Sequence, residues 1–505
     1  MKADEKSRFL IPAAVIIVYI FFRFWHLTDS CLWFDEIFSV HAAEQGWSDL
    51  FGFVARDLIH PPLFYVFLKI WILIGGESLF WLRFFPVLFS LLALVPFYLL
   101  CRQLKLSPLT VGLALGFLAV NGSLIKYAQE VRMYSLLFCL SLFSLWLFAR
   151  YLNVGKGIWF LTFVNILLVQ TQYFGWFIVF GEVLAVLYLQ RIKIGQTLIM
   201  VGLTIVGFVP WLIAVWRAAG SNGNFSQNLG WAARPDLTVV FQFIFNLIEP
   251  FYYPASNIDP PTNWPVTLPL ILLILTASGF YLAGWRERNE KEKNDFAFLL
   301  IIILTPVLLA LAASWILPFS IWGTRHFIII FAPLAILGAK FFQRISDVRL
   351  RAVLIGSVLA VFLVAFIWQL TRPPQKFIWC GWEDLAAEIP PPASEPTKIY
   401  VFEDLIAYQL WFALRKEKNV EIIKVNGIPE LKEDPAYFLP RGFDEVKITD
   451  QNGLTGEKFY IAFRAGDFNY LKPPLNFLIE KNYRIGRPTT YQAQGQAAFL
   501  VEITR

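Results

Sequence analysis

Charge is what this sequence has least of. Of its 505 residues only 16% are Asp, Glu, Lys or Arg, whereas 57% are hydrophobic and the mean hydropathy is +0.57. A soluble domain of this length cannot keep so much apolar surface in water, so this class of protein is excluded. The net charge of +6 does not indicate a nucleic-acid partner, because the excess cations lie mostly in short loops between apolar runs.

Several chemical signatures are missing as well. The four cysteines Cys31, Cys101, Cys139 and Cys380 are far apart and show neither zinc-site nor disulfide spacing. The C-terminal part has no Gly-rich phosphate loop and no catalytic-triad pattern, and the chain has no internal repeat. The first apolar run lacks a small-residue cleavage site, so we expect a retained helix and not a signal peptide.

Long apolar runs are abundant instead. Eleven runs have about the length that crosses a bilayer, although the fifth is short. They lie near residues 9–27, 81–101, 109–125, 133–150, 158–170, 172–190, 197–216, 265–285, 296–315, 326–342 and 352–370. The sequence therefore predicts a polytopic α-helical membrane protein of about 11–13 transmembrane helices.

The distribution of Lys and Arg predicts the orientation. Cations are concentrated in alternate loops, for example in Lys2 to Arg8, in Arg102 and Lys105, and in the run RERNEKEKND. The positive-inside rule makes these loops cytoplasmic. We expect a multi-pass protein of the cell membrane, inner or plasma, with a cytoplasmic N-terminus and a tail that lies outside from Thr371 onward.

Composition divides the chain into two predicted domains. Residues 1–370 form a transmembrane catalytic domain, whose outer loop 28–80 has the apolar spacing of amphipathic interfacial helices. The composition becomes soluble at 371–505, after an RPPQ linker. The segments KIYVFED, EIIKV, KFYIAFRA and AAFLVEIT are typical of strands, and IAYQLWFALRKE and NFLIEKNY of helices. They predict a small extracytoplasmic α/β domain.

An unusual set of ionisable residues falls on the predicted outer face. Asp35 and Glu36 are adjacent after the first apolar run, and His60 precedes two prolines. Charges at the membrane edge are costly, and they pair or face a wet cavity, so we predict one shared outward-facing site. The further candidates are Arg83, Lys126, Glu130, Arg132, Tyr134, Tyr173, Arg325 and His326.

Carboxylates combined with Arg, Lys and His at a membrane edge suit a lipid-phosphate-linked sugar. Its leaving phosphate departs as an anion that Arg can hold with two hydrogen bonds. A carboxylate can take the proton of the incoming hydroxyl or amine. A glycosidase would instead need two carboxylates at a set separation, acting with water.

Each candidate also has a purely structural interpretation. Asp35 would cap a surface helix, Glu130 and Arg132 would form an interfacial ion pair, and His60 would shape a turn. Arg83 would extend to lipid head groups, and Arg325 would neighbour an aromatic belt. The joint placement of acids, cations and histidine on one face favours the functional interpretation.

The motifs LWFDE, HPPLFY, WLRFFP, QEVRMYSL and RHF, in this order, resemble multispanning glycosyltransferases of the GT-C fold. The pattern is most similar to family-39-type proteins, which are related to protein O-mannosyltransferases and the lipid A aminoarabinose transferase. The resemblance covers nearly all of the first 370 residues and is less specific for substrate. It implies inverting transfer of a sugar from a polyprenyl-phosphate donor to a lipid, protein or envelope-glycan acceptor.

The resemblance also implies residue roles. Asp35 matches the acid of the first outer loop and is the expected base, with Glu36 its usual neighbour and Glu130 a further acid. The expected donor-phosphate residues are His60, Arg83, Lys126, Arg132, Tyr134, Tyr173, Arg325 and His326. Some relatives bind a divalent metal ion with an acid and a histidine. Here Ile59 stands where that acid would precede the HPP motif.

Other classes of protein remain open at this stage. A lipid-linked sugar flippase or transporter would show repeated halves with broken helices, and the sequence shows no internal symmetry. An oligosaccharide polymerase or ligase would carry a large outer loop between late spans. A non-enzymatic membrane scaffold would have no need of Asp35.

Overall fold

The computed structural model describes residues 2–220, 233–251, 263–371, 376–389, 396–417, 419–431, 439–493 and 495–505. The chain divides into two compact units. The first comprises Met1–Leu27 and Trp47–Pro373, and the second comprises Thr28–Gly46 and Pro374–Arg505. The sequence had placed the segment 28–46 with the membrane domain. The predicted RPPQ linker lies outside the described residues.

The helices follow the apolar runs of the sequence. In chain order they are α1 (Lys2–Phe24), α2 (Phe34–Glu44), α3 (Trp47–Asp57), α4 (Leu63–Gly75), α5 (Leu79–Leu92), α6 (Leu94–Gln103), α7 (Pro108–Val120), α8 (Gly122–Gln129), α9 (Tyr134–Val154), α10 (Ile158–Val169), α11 (Gly175–Leu189), α12 (Ile194–Gly220), α13 (Leu237–Ile248), α14 (Trp264–Ala283), α15 (Glu290–Ile316), α16 (Phe331–Gln343), α17 (Val348–Thr371), α18 (Gly381–Ala387), α19 (Asp404–Leu414) and α20 (Leu475–Glu480). Short 3-10 helices lie at Arg191–Lys193, Trp285–Glu287, Thr324–Ile330 and Ile378–Cys380.

The first unit is a bundle of membrane helices. Within the described residues, seven helical segments are long and apolar enough to cross a bilayer. They are Leu79–Gln103, Tyr134–Val154, Arg191–Ala219, Trp264–Ala283, Glu290–Ile316, Thr324–Gln343 and Val348–Thr371. Each corresponds to a predicted run, and the other four predicted runs are shorter apolar helices. The polytopic helical class is confirmed.

Two further apolar helices lie between the predicted runs. They are α4 and α13, with 13 and 12 residues. Neither is among the eleven predicted runs.

A buried arginine joins the first helix to its neighbours. Arg23 of α1 is fully buried, and its guanidinium donates to the carbonyl oxygens of Leu118 (2.9 Å) and Ala119 (3.1 Å) and to Ser90 Oγ (3.2 Å). Both carbonyls belong to the last turn of α7, where no backbone N–H of the helix can reach them. The positive charge also lies at the negative end of that helix dipole. Arg23 therefore fixes the contact between α1 and α7.

A ring of three polar side chains joins α9, α10 and α11. Ser144 Oγ lies 2.6 Å from Asn165 Oδ1 and 2.7 Å from Glu182 Oε1, and Asn165 Nδ2 donates to Glu182 Oε2 at 2.8 Å. All three residues are completely buried. The single hydroxyl hydrogen of Ser144 cannot serve two acceptors. A proton on Glu182 would supply the missing hydrogen, so that each hydrogen bond in the ring has one donor.

The second unit contains the predicted α/β domain. Its strands are β1 (Thr397–Val401), β2 (Val420–Asn426), β3 (Lys447–Asp450), β4 (Lys458–Ala465), β5 (Arg484–Ala493) and β6 (Gln496–Thr504). They form one sheet in the order β3-β2-β1-β4-β6-β5. The pairs β3–β2, β2–β1 and β1–β4 are parallel, and the pairs β4–β6 and β6–β5 are antiparallel. The core contains Tyr400, Phe459, Ile461 and Val501.

The polar ring makes a testable prediction. Replacing Glu182 by Gln keeps both hydrogen bonds, because the amide N–H₂ takes the place of the protonated oxygen. Replacing Glu182 by Leu removes the oxygen acceptor of the buried Asn165 amide and leaves only the weak acceptor Met200 Sδ, and we expect a loss of about 1–3 kcal/mol in unfolding free energy. Unfolding of the purified proteins in detergent measures the unfolding free energy of each variant. A Gln variant as unstable as the Leu variant would contradict the ring.

Candidate functional site

The HPP motif lies on a tight turn between two helices. The helix α3 ends at Asp57, Leu58 has a positive φ of 65°, and α4 begins directly after Pro62. The turn brings Asp57 and His60 together, with His60 Nδ1 3.3 Å from Asp57 Oδ2. His60 is largely buried, whereas the side chain of Asp57 is 23% exposed. The left-handed backbone of Leu58 ends α3, and Pro62 directly precedes α4, where its missing backbone N–H costs no helical hydrogen bond.

The QEVRMY motif forms the turn from α8 to α9. Val131 and Met133 are completely buried, and this anchors the turn between two helices. The backbone N–H of Arg132 donates to the Glu130 carbonyl oxygen at 2.6 Å. The side chains of Glu130 and Lys126 pair at 3.9 Å, one helical turn apart.

The two turns meet through His60 and Arg132, which are 72 residues apart in the chain. Arg132 Nη2 lies 3.3 Å from His60 Nε2, and Arg132 is only 3% exposed. His326 lies within electrostatic range of both side chains and of Arg325. Its Nδ1 accepts a hydrogen bond from the Gln172 amide at 2.9 Å, and its ring stacks on Phe174.

Tyr173 lies between α10 and α11 and supports the HPP turn from there. Its hydroxyl donates to the Leu58 carbonyl oxygen at 3.2 Å and accepts from Trp211 Nε1 at 3.2 Å. Burial raises the pKa of Tyr173 to about 12, and the nearby Asp57 charge acts in the same direction. The hydroxyl therefore stays protonated at neutral pH and remains a donor. We refer to Asp57, His60, Arg132, Tyr173 and His326 as the histidine–arginine cluster.

Three predicted residues have further described contacts. Arg83 is buried in α5, and its Nη1 donates to the Leu27 carbonyl oxygen at 2.9 Å. Tyr134 is buried at the start of α9, where its ring lies 4.9 Å from that of Tyr127. Lys126 lies over the same Tyr127 ring at 5.4 Å.

Asp35 and Glu36 belong to the second unit, where they occupy the first turn of α2. The Glu36 carboxylate accepts the backbone N–H of Trp33 at 3.1 Å and thereby satisfies an N–H just before the helix. Glu36 is completely buried and Asp35 is half-buried. Glu36 therefore caps the helix, and Asp35 is the more accessible carboxylate of the pair.

A disulfide attaches this segment to the α/β domain. It joins Cys31 to Cys380, and Asp35 follows four residues after Cys31. His41 of α2 packs on Tyr408 and Trp411 of α19, and its Nδ1 lies 2.9 Å from the Tyr408 hydroxyl. Burial and, less strongly, the Arg415 charge lower the pKa of His41 to about 4. His41 is therefore neutral at physiological pH.

The described residues do not fit a divalent metal ion. Within the described ranges, no three His, Cys, Asp or Glu side chains are grouped as a metal site requires. Both ring nitrogens of His60 already face other side chains, and the one directed away from Asp57 faces a guanidinium. A cation would be repelled at this position. We therefore assign no chemistry to a metal.

Sequence reasoning missed three features of these sites. Asp57 lies three residues before His60, and this spacing was a usable signal. Gln172 is adjacent to Tyr173, but nothing in the sequence pointed to its contact with His326. The disulfide was also missed, because its cysteines are 349 residues apart and only the fold brings them together.

Solved structures with a similar fold are known. The chain aligns with ArnT from Cupriavidus metallidurans in the apo state with a TM-score of 0.59 and 13% identity, over 99% of this chain and 98% of that one. The structure of the same protein bound to undecaprenyl phosphate gives a TM-score of 0.54 and 12% identity over 97% of each chain. The chain therefore shares its fold with ArnT.

A more distant similarity is to the oligosaccharyltransferase AglB from Archaeoglobus fulgidus, with a TM-score of 0.49 and 10% identity. It covers 81% of this chain, which spans only 64% of that protein's length. No protein-family model matches the sequence. No curated protein sequence matches it either.

The disulfide generates a prediction about thiol reactivity. Protein purified from membranes and denatured without reductant should expose two reactive thiols, those of Cys101 and Cys139. Reduction should raise the number to all four cysteines of the chain. Labelling with a thiol-specific reagent and intact-mass measurement counts them. As a control, Cys31→Ser should free Cys380 and add one thiol without reductant. Four reactive thiols in the unreduced wild type would disprove the bond.

Proposed function

We propose that the chain is an inverting glycosyltransferase that moves a sugar from a polyprenyl-phosphate donor to a lipid, protein or envelope-glycan acceptor. The observation that carries this proposal is the histidine–arginine cluster. It places the buried Arg132 beside His60, and it places His326 within electrostatic range of Arg132, His60 and Arg325, in a polytopic helical unit. Such a concentration of cationic and hydrogen-bonding groups suits a phosphate anion. The bound undecaprenyl phosphate of the similar ArnT structure supports the same donor class.

The proposed chemistry is a single displacement at the anomeric carbon. The acceptor hydroxyl or amine attacks from the face opposite the phosphate, and the carbon–oxygen bond to the phosphate breaks. Asp35 takes the acceptor proton, since it is the accessible member of the acidic pair while Glu36 caps a helix. Arg132, which His60 holds through its Nε2, stabilises the departing phosphate together with Arg83, Lys126, Arg325 and His326. Tyr134 and Glu130 support these groups.

We place the reaction on the outer face of the cell membrane. The disulfide between Cys31 and Cys380 supports this placement for the segment that holds Asp35 and for the α/β domain, because structural disulfides persist in oxidising compartments. The cation-rich alternate loops support a cytoplasmic N-terminus.

The decisive variant is Asp35→Asn, which keeps the size of the side chain and removes the base. We expect transfer to fall at least about 100-fold, the usual contribution of a general base. Lipid-reconstituted protein is given a panel of polyprenyl-phosphate sugars with envelope extract as acceptor, and release of polyprenyl phosphate is measured.

The matched control is Asp49→Asn, an exposed carboxylate on α3 whose loss should leave transfer unchanged. Wild-type rates in Asp35→Asn would remove the base assignment. Absence of release with every donor, by folded wild-type protein and active extract, would remove the transferase and favour the flippase.

A further inference from the structure

Asp57 is an acidic residue beside a group of cationic and imidazole side chains. It ends α3, and the turn after it is held by the Tyr173 hydroxyl bound to the Leu58 carbonyl oxygen. Trp211 in turn holds that hydroxyl from α12. The position of the Asp57 carboxylate relative to His60 is thus determined by a part-buried hydrogen bond, and the Asp57 side chain itself reaches solvent.

The hydrogen-bond roles in this group follow from the chemistry of arginine. A guanidinium has only donors, so Arg132 Nη2 must donate to His60 Nε2, which therefore carries a lone pair. The proton of a neutral imidazole then resides on Nδ1. That nitrogen lies 3.3 Å from Asp57 Oδ2 and donates to it. The two hydrogen bonds therefore run in one direction: Arg132 donates to His60, and His60 donates to Asp57.

Asp57 and Arg132 both favour the same tautomer of His60, each from its own side of the ring. A neutral histidine can hold its proton on either nitrogen, and a neighbouring acceptor decides which. With the proton on Nε2, an N–H would face the guanidinium of Arg132 and repel it. The carboxylate of Asp57 disfavours this tautomer, because it accepts a hydrogen bond from Nδ1 and cannot donate one.

We propose that Asp57 is a positioning residue, which fixes His60 with its proton on Nδ1 and thereby holds the Arg132 guanidinium in place for the donor phosphate. The last step rests on the proposed glycosyltransferase function, whereas the tautomer does not. Asp57 itself touches no reacting atom.

The kinetic test uses Asp57→Ala in the full-length reconstituted protein. Loss of a carboxylate that orients a functional histidine typically costs about 10–100-fold in activity, and we expect kcat/KM for the donor to fall by this factor. Because Asp57 acts through His60, the Asp57→Ala and His60→Ala double variant should be no slower than His60→Ala alone. The control Asp49→Ala, on the same helix, should match the wild type.

The second readout is the tautomer itself. The chain has four histidines, so ¹⁵N-histidine NMR gives few signals, and the His60→Gln variant identifies that of His60. The wild type should show a protonated Nδ1 and an unprotonated Nε2 at His60. Asp57→Ala should lose this pattern, a change that a merely structural residue would not cause. If Asp57→Ala does not fold, Asp57→Asn serves, since its amide no longer selects one tautomer.

These measurements distinguish failure of the Asp57 proposal from failure of the proposed glycosyltransferase function. A wild-type protein with Nε2 protonated at His60 would overturn the inference whatever its activity. Additive losses in the double variant, or a fully active Asp57→Ala, would overturn the positioning role. An inactive wild type with the expected tautomer would overturn the glycosyltransferase and with it the phosphate step, and would leave the Asp57–His60 pairing confirmed.

Discussion

A polar group inside an apolar helical bundle must find its partner within the protein, because lipid offers none. Much of the first unit depends on this constraint. Arg23 satisfies the free carbonyl oxygens at the end of α7, and Gln129 Nε2 donates to the Trp25 carbonyl oxygen just past the end of α1 at 2.6 Å. These contacts determine which helix ends are neighbours. Apolar side chains can pack closely in several arrangements of the helices, whereas these hydrogen bonds can form in only a few.

The same constraint explains why the candidate site is a cluster. Cationic groups such as Arg132 and Lys126 are costly to bury, and acids offset part of that cost. Glu130 pairs with Lys126, and Asp57 faces His60. His60 contributes a lone pair to Arg132 without adding charge. A phosphate anion would complement the remaining positive charge, and this links the electrostatics of the bundle to the proposed chemistry.

The sequence predicted elements well where burial is periodic or continuous. The segment KFYIAFRA coincides with β4, and seven predicted spans correspond to long membrane helices. The strands β3 and β5 were missed for a physical reason. They are the two edges of the sheet, where a strand is paired on one side only, and their residues are largely exposed. Edge strands carry polar residues, Gly and Pro, so hydrophobic alternation cannot reveal them.

By itself the sequence determined that the chain is a polytopic helical membrane protein with an α/β domain, because apolar length and local periodicity are properties of neighbouring residues. It also singled out His60, Arg132 and His326 by their cost at a membrane edge. Only the tertiary structure decided that His60 meets Arg132, that Asp57 belongs with them, and that Cys31 is bonded to Cys380. It also separated Glu36, a helix cap, from Asp35. Most of these partners are distant in the chain, and the directions of their side chains follow from packing, which no local pattern encodes.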